Sequence, residues 1–240
     1  APPANQSDIW QNILDPDNDG NYDEPSSADI ISNSWGREGD GALPVEGDYN
    51  SESKEVDRTV VGGNGKRVVV VFAAGNDHNL GALYRKVDPP ATAKNAITVG
   101  ASAEYKSATN ICAHGKGSDP RKLYVMNYSE RNTDDGRVKP DILAPGSDIT
   151  SSVLSNAYIS WDGTSMAAPH VSAVAAQLLK QYNLTPYAVK AFLLSGTMNG
   201  SRTNNYPNNI DYNQGWGRLD AYRTVFKLSD EYTDSYDTFH

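Results

Sequence analysis

The chain has 240 residues, with 21 Lys plus Arg against 30 Asp plus Glu, a formal net charge of −9 and a hydrophobic fraction of 38%. That length holds one large domain or two small ones, and the acidic balance argues against nucleic-acid binding, which Lys and Arg drive by neutralising phosphate. The longest apolar run, residues 68–75, is too short to cross a bilayer, and one cysteine, Cys112, excludes an internal disulfide framework and argues against structural zinc. The opening Ala1-Pro2-Pro3 carries no Met, as expected of a processed chain or a piece of a longer one. Tyr outnumbers Phe by 14 to 4, which suits a polar, secreted surface.

No fixed-period repeat is visible, which excludes solenoids and propellers. Residues 1–27 are polar and turn-rich, and residues 28–33 (ADIISN) then read as a short strand ending at Ser34-Trp35-Gly36. After a Gly-rich, acidic loop over residues 39–49, Val56, Val60 and Val61 at helical spacing predict an amphipathic helix closed by Gly62-Gly63. Residues 67–74 (RVVVVFAA) form a continuous β-branched run, as in a strand buried on both faces of a parallel sheet, and residues 96–101 (AITVGA) are a second. A further short strand is expected within residues 140–149. Two helices follow, residues 165–182 and 186–195, the second with Thr185 as N-cap and Pro186 at its first position. Ala168, Ala173, Ala175 and Ala176 predict close approach of the first helix to its neighbours. Strands alternating with helices argue for an α/β fold with a parallel sheet, and residues 229–240 read as an acidic tail or linker.

The most informative stretch is Asp162-Gly163-Thr164-Ser165-Met166-Ala167-Ala168-Pro169-His170. Gly then Thr-Ser at the mouth of a helix places the Ser165 hydroxyl and N–H at the positive end of the helix dipole, where a developing oxyanion is stabilised. Pro169 sits where a proline removes a helical hydrogen bond, and such breaks of local rules occur at functional sites. On composition alone, an Ala-rich core helix capped by Thr or Ser reads the same way.

The string resembles the nucleophile motif of subtilisin-like serine proteases, and further segments match in the family's chain order over residues 28–225. Ala73-Ala74-Gly75-Asn76 is similar to the oxyanion-hole segment, with Asn76 implied as side-chain donor. Ser34-Trp35-Gly36 is similar to the segment that pairs with substrate backbone and walls the S1 pocket. Residues 138–146 (VKPDILAPG) and Gly215-Trp216-Gly217 resemble structural landmarks of the family. ISNSWG, GDYNSESKEVD and PPATAKNAITVGAS most resemble an alkaline group that carries an extra β-domain after the protease domain. The resemblance implies a subtilisin-like three-layer fold, a polypeptide substrate, Ser165 as nucleophile, Asn76 as oxyanion donor, and Ser34, Trp35, Gly36, Ala73, Ala74 and Gly75 as the substrate cleft.

The chain departs from that family in lacking its His-Gly-Thr-His motif and the strand-end Asp that precedes it. Of the four histidines, His170 lies about 140° round the nucleophile helix from Ser165, His78 on a loop is the least remote stand-in, and His114 and His240 read as solvent-exposed. Residues 1–228 are therefore expected to be the C-terminal part of a catalytic domain, inactive alone and packing against an N-terminal fragment that supplies Asp and His. A peptide-binding pseudoprotease is the alternative. An unrelated hydrolase elbow is disfavoured, because Gly163-Thr164-Ser165-Met166-Ala167 misses Gly-x-Ser-x-Gly. Asp15, Asp17 and Asp19, followed by Gly20, have the first half of a calcium loop. Calcium there is an expectation beside that of a solvated acidic turn.

Overall fold

The computed structural model describes residues 28–36, 47–63, 65–78, 86–103, 125–198 and 212–227. Four strands, β1 (Ile30–Asn33), β2 (Val69–Ala73), β3 (Ile97–Ser102) and β4 (Ile142–Pro145), form a parallel sheet in chain order. The register sets Ile30 beside Val69, Val71 beside Ile97 and Val99 beside Ile142.

The β-branched run at β2 is buried at all five positions, and its period of two divides it between two cores. Val69, Val71 and Ala73 face one cluster with Ile97, Val99, Ile142, Val171, Leu178 and Leu193. Val70, Phe72 and Ala74 face the other with Val56, Val60 and Ala91. Each such valine or leucine contributes about 1.5–3 kcal/mol by leaving water. Helix α1 (Ser51–Val61) covers the second face, and α2 (Thr164–Tyr182) and α3 (Pro186–Ser195) belong to the first. The result is the expected three-layer α/β arrangement with a parallel sheet between helices.

Helix α1 starts where the Asn50 side chain accepts the Ser53 N–H at 3.1 Å and ends at Gly62. Its buried face differs from the expected one at Val61, which is 44% exposed, whereas Asp57 turns inward and accepts the Lys94 and Asn95 N–H groups. Four residues separate Val56 from Val60 and keep them on one face, and Val61 is a further 100° or so round the helix. In α3, Thr185 accepts the Ala188 N–H and Pro186 occupies the first turn, as the sequence predicts. In α2, Ala168 and Ala175 are fully buried against the sheet, but Ala173 and Ala176 are exposed. Close approach therefore uses only two of the four predicted alanines.

An antiparallel hairpin, β5 (Ile149–Val153) and β6 (Ala157–Trp161), stands between β4 and α2, a position for which the sequence pattern gives no strand. All five β6 residues are exposed. At its base Asp162 Oδ1 accepts the Asp148 N–H at 2.7 Å, so the hairpin hands the chain to Gly163 in a fixed place. The Gly215-Trp216-Gly217 segment runs alongside β4, with the Trp216 N–H on Asp141 O, the Leu143 N–H on Gly217 O and a parallel bridge between Leu143 and Arg218. No helix among the described residues is long and apolar enough to cross a membrane.

Candidate active site

The C-terminal ends of β1 and β2 and the N-terminus of α2 meet at one cleft, as expected for a parallel sheet, whose crevices open beyond the strand ends. Its volume is about 330 Å³, and Ser34, Trp35, Gly36, Ala73, Ala74, Gly75, Asn76 and Ser165 all line it. Beta-strand ends place the first two groups: Trp35 is held by its Nε1–H on Asn33 Oδ1 at 3.1 Å and by an edge-on contact with Phe72, centroids 5.5 Å apart.

Thr164 organises the Asn76 side of the cleft. Its N–H and hydroxyl both donate to Asn76 Oδ1, at 2.8 and 3.0 Å, while its Oγ1 accepts the Gly75 N–H at 3.1 Å. These contacts fix which way the Asn76 amide points, because only an oxygen can accept from a backbone N–H. Asn76 Nδ2 and the Ser165 N–H have no partner among the described hydrogen bonds, leaving two donors at the positive end of α2. Gly163 enters the helix at φ +155, a region essentially confined to glycine, and this sharp entry directs Thr164 to Asn76.

Ser165 and Ser34 are joined by two hydrogen bonds. Ser165 Oγ donates to Ser34 O at 3.0 Å, and Ser34 Oγ donates to Ser165 O at 2.8 Å. Histidine is absent from the described lining of the cleft. His170 is turned onto its own helix, with Nδ1 2.8 Å from Met166 O, and His78 is buried with its N–H on Tyr128 O. His114, His240 and Cys112 lie outside the described residues, as do the expected calcium ligands Asp15, Asp17 and Asp19 and the tail at 229–240.

Asp77, Asp88, Pro90, Ala91, Glu130 and Thr164 complete the lining, and none of them was among the expected cleft residues. Tyr128-Ser129-Glu130-Arg131-Asn132 stands where the resembling family commonly has Ser-Ser-Arg-Gly, and this mismatch is the one available signal for Glu130. Beneath the site, Lys139, Asp141 and Lys190 form a buried ionic cluster: Asp141 is 2.7 Å from Lys139 Nζ and 2.9 Å from Lys190 Nζ. Asp141 also accepts the N–H of Thr98 on the central strand β3 at 2.8 Å. Burial opposes the Asp141 charge, but the two ammonium groups and these hydrogen bonds outweigh it and hold the carboxyl below its ordinary value of 3.8. Burial pulls Lys139 down to about 7 against the attraction of Asp141.

Comparison with known proteins gives a consistent result. Bacillopeptidase F of Bacillus subtilis (strain 168) is 30% identical over 217 residues, covering 89% of this chain and 13% of the relative. Serine protease AprX of the same strain is 35% identical over 196 residues, covering 75% of this chain and 40% of the relative. The chain thus spans less than half the length of these curated relatives. The solved structure of the patellamide maturation protease PatA superimposes with a TM-score of 0.59 at 24% identity, covering 94% of this chain and 70% of that one, a likeness of fold. Residues 7–217 match the Peptidase_S8 subtilase family over most of the chain, so the chain belongs to the subtilase family of serine peptidases.

Proposed function

We propose that this chain is most of the catalytic domain of a serine endopeptidase, and that the general base and its orienting acid come from an N-terminal segment of the same protease outside these 240 residues. The observation that carries the reading is the arrangement at the mouth of α2: Ser165 faces the cleft beside an Asn76 amide whose oxygen is pinned by Thr164. In this reading Ser165 Oγ attacks the scissile carbonyl, a histidine takes its proton and passes it to the leaving amine, and water then releases the acyl group. The oxyanion sits between the Ser165 N–H and Asn76 Nδ2. Polypeptide substrate lies along residues 34–36 as an added strand.

The edge of the sheet supports the placement of the missing groups. Among the described strands β1 pairs only with β2, and Ser34 follows it directly. A strand added to the free side of β1 would end close to Ser34 and Ser165. The likeness of the ISNSWG and PPATAKNAITVGAS segments supports a place near the alkaline group.

One observation favours the pseudoprotease alternative: the Ser165 hydroxyl donates to a main-chain carbonyl rather than to a base. Incubating the source-purified protein with an unstructured polypeptide separates the two. The peptidase reading expects hydrolysis that Ser165→Ala abolishes. Peptide binding without hydrolysis would replace it with the pseudoprotease.

A further inference from the structure

We infer that the cleft beside Ser165 takes a cationic side chain, of the arginine or lysine type, and that Glu130 is its specificity-determining residue. The inference rests on the peptidase reading for the placement of substrate, but its chemistry comes from the lining of the cleft.

Glu130 is only 4% exposed and is tied to the oxyanion segment twice. Its N–H donates to Gly75 O at 3.1 Å, and its Oε1 accepts the Asp77 N–H at 3.1 Å. The carboxylate lies against the Gly75 backbone so closely that a Cβ placed there would fall 2.1 Å from Oε2. A glycine at residue 75 is what lets an acid sit on this wall, one residue from Asn76. Asp77 and Asp88 add carboxylates to the same lining, which contains no Lys or Arg among the described residues.

Trp35, Ala73, Ala74, Pro90 and Ala91 give the same cleft an apolar stretch, beside the polar Ser34, Asn76, Thr164 and Ser165. An apolar stretch beside an acid wall suits a long aliphatic stem ending in a positive charge, because the stem stays in contact with apolar groups while the head meets the carboxylate. Charge-assisted hydrogen bonds to such a head are roughly twice as strong as neutral ones, and a planar guanidinium can engage a carboxylate through two of them. An acidic side chain entering here would meet like charge and lose its hydration. The volume of about 330 Å³ is at the small end for ligand pockets and fits one side chain with its backbone.

Binding of p-aminobenzamidine to the full protein, followed by its fluorescence, tests the inference without requiring turnover. We expect saturable binding that Glu130→Gln weakens by at least about tenfold. Gln retains an oxygen for the Asp77 N–H, and a melting curve reports whether that variant folds. If it does not, acetylated tripeptides ending in argininamide or citrullinamide are compared on the unaltered protein, with argininamide expected to bind at least about tenfold tighter. Absence of benzamidinium binding, unchanged binding in Glu130→Gln, or equal binding of the two peptides would overturn the inference. Because this binding does not use the Ser165 hydroxyl, binding without Ser165 reactivity would sink the peptidase reading alone. Ser165 reactivity without binding would sink only the cationic pocket.

Discussion

Ser34 Oγ donates to the carbonyl oxygen of Ser165, the one carbonyl in the first turns of α2 whose helical partner would be the missing N–H of Pro169. Proline at that position removes the bond from residue 169 to residue 165 and crowds the same carbonyl with its ring. The carbonyl is thereby released toward the end of β1, and α2 is tied to the residue that follows that strand. The carbonyl that this breach of helix rules leaves without a helical partner is taken up by a side chain 131 residues away.

The coupling is measurable as a double-mutant cycle. Ser34→Ala is expected to lower stability by about 1 kcal/mol, the usual value of one hydrogen bond. In a Pro169→Ala background the restored N–H takes over the carbonyl, and the loss should shrink to less than half. Denaturant unfolding of the four proteins gives the numbers, and equal losses in both backgrounds would show that the two residues are independent.

If Asn76 is the oxyanion donor, as proposed, its removal should affect rate rather than binding. Asn76→Ala in the complete protease is expected to lower kcat by about 10²–10³ with little change in KM. Thr164→Val should produce a smaller loss in the same direction, because the amide loses the hydroxyl that helps to orient it. Steady-state kinetics on one peptide substrate checks both.

Gly75→Ala should be among the most damaging small substitutions in the domain. Gly75 has φ +111, and the added methyl would collide with the Glu130 carboxylate. The backbone strain alone costs on the order of 1–3 kcal/mol. Adding Glu130→Ala should recover the steric part and leave the strain, so the double variant is expected to melt above Gly75→Ala and below the unaltered protein.

The buried ionic cluster gives stability a pH dependence of defined sign. Asp141 titrates below 3.8 in the folded protein, so its contribution is present above that pH and is lost as the pH falls through its lowered folded value. Lys139 gives up its proton near 7 when folded but holds it to about 10.5 when unfolded. The unfolded chain then binds more protons across that range, and this residue makes stability rise with pH between them. Lys139→Met should flatten that alkaline limb in a series of melting curves. It should also lower stability at pH 6, by less than the roughly 3–5 kcal/mol of a buried charge left unpaired, because the Asp141 carboxylate loses one ammonium partner and keeps Lys190.

Elements whose local signals agree with their packing could be read from sequence. The Val-rich run of β2 is apolar on both faces because both faces are covered, and Thr185-Pro186 starts α3 because capping is a local matter. The hairpin was hidden for the converse reason. Residues 150–152 and 157–161 are exposed and Ile149 and Val153 only half-buried, so no burial imposes an alternating pattern, and their pairing depends on the turn, where Ser155 and Asn156 take positive φ. In the cleft, Ser34, Asn76 and Ser165 stood out through motif resemblance, whereas Thr164 was hidden inside the motif as an apparent helix start. Glu130 was visible only as a mismatch, since nothing local to residues 128–132 shows that the carboxylate folds onto Gly75.

The central claim is that Ser165 is a nucleophile activated from outside this chain. Labelling with a fluorophosphonate probe, mapped by peptide mass spectrometry, tests it on the protein purified from its source and on the 240-residue chain alone. The account predicts stoichiometric modification of Ser165 in the former, accompanied by a segment bearing Asp and His, and none in the latter. Equal labelling of the isolated chain would place the base within these residues, and no labelling of the source-purified protein would contradict the assignment of Ser165 as nucleophile.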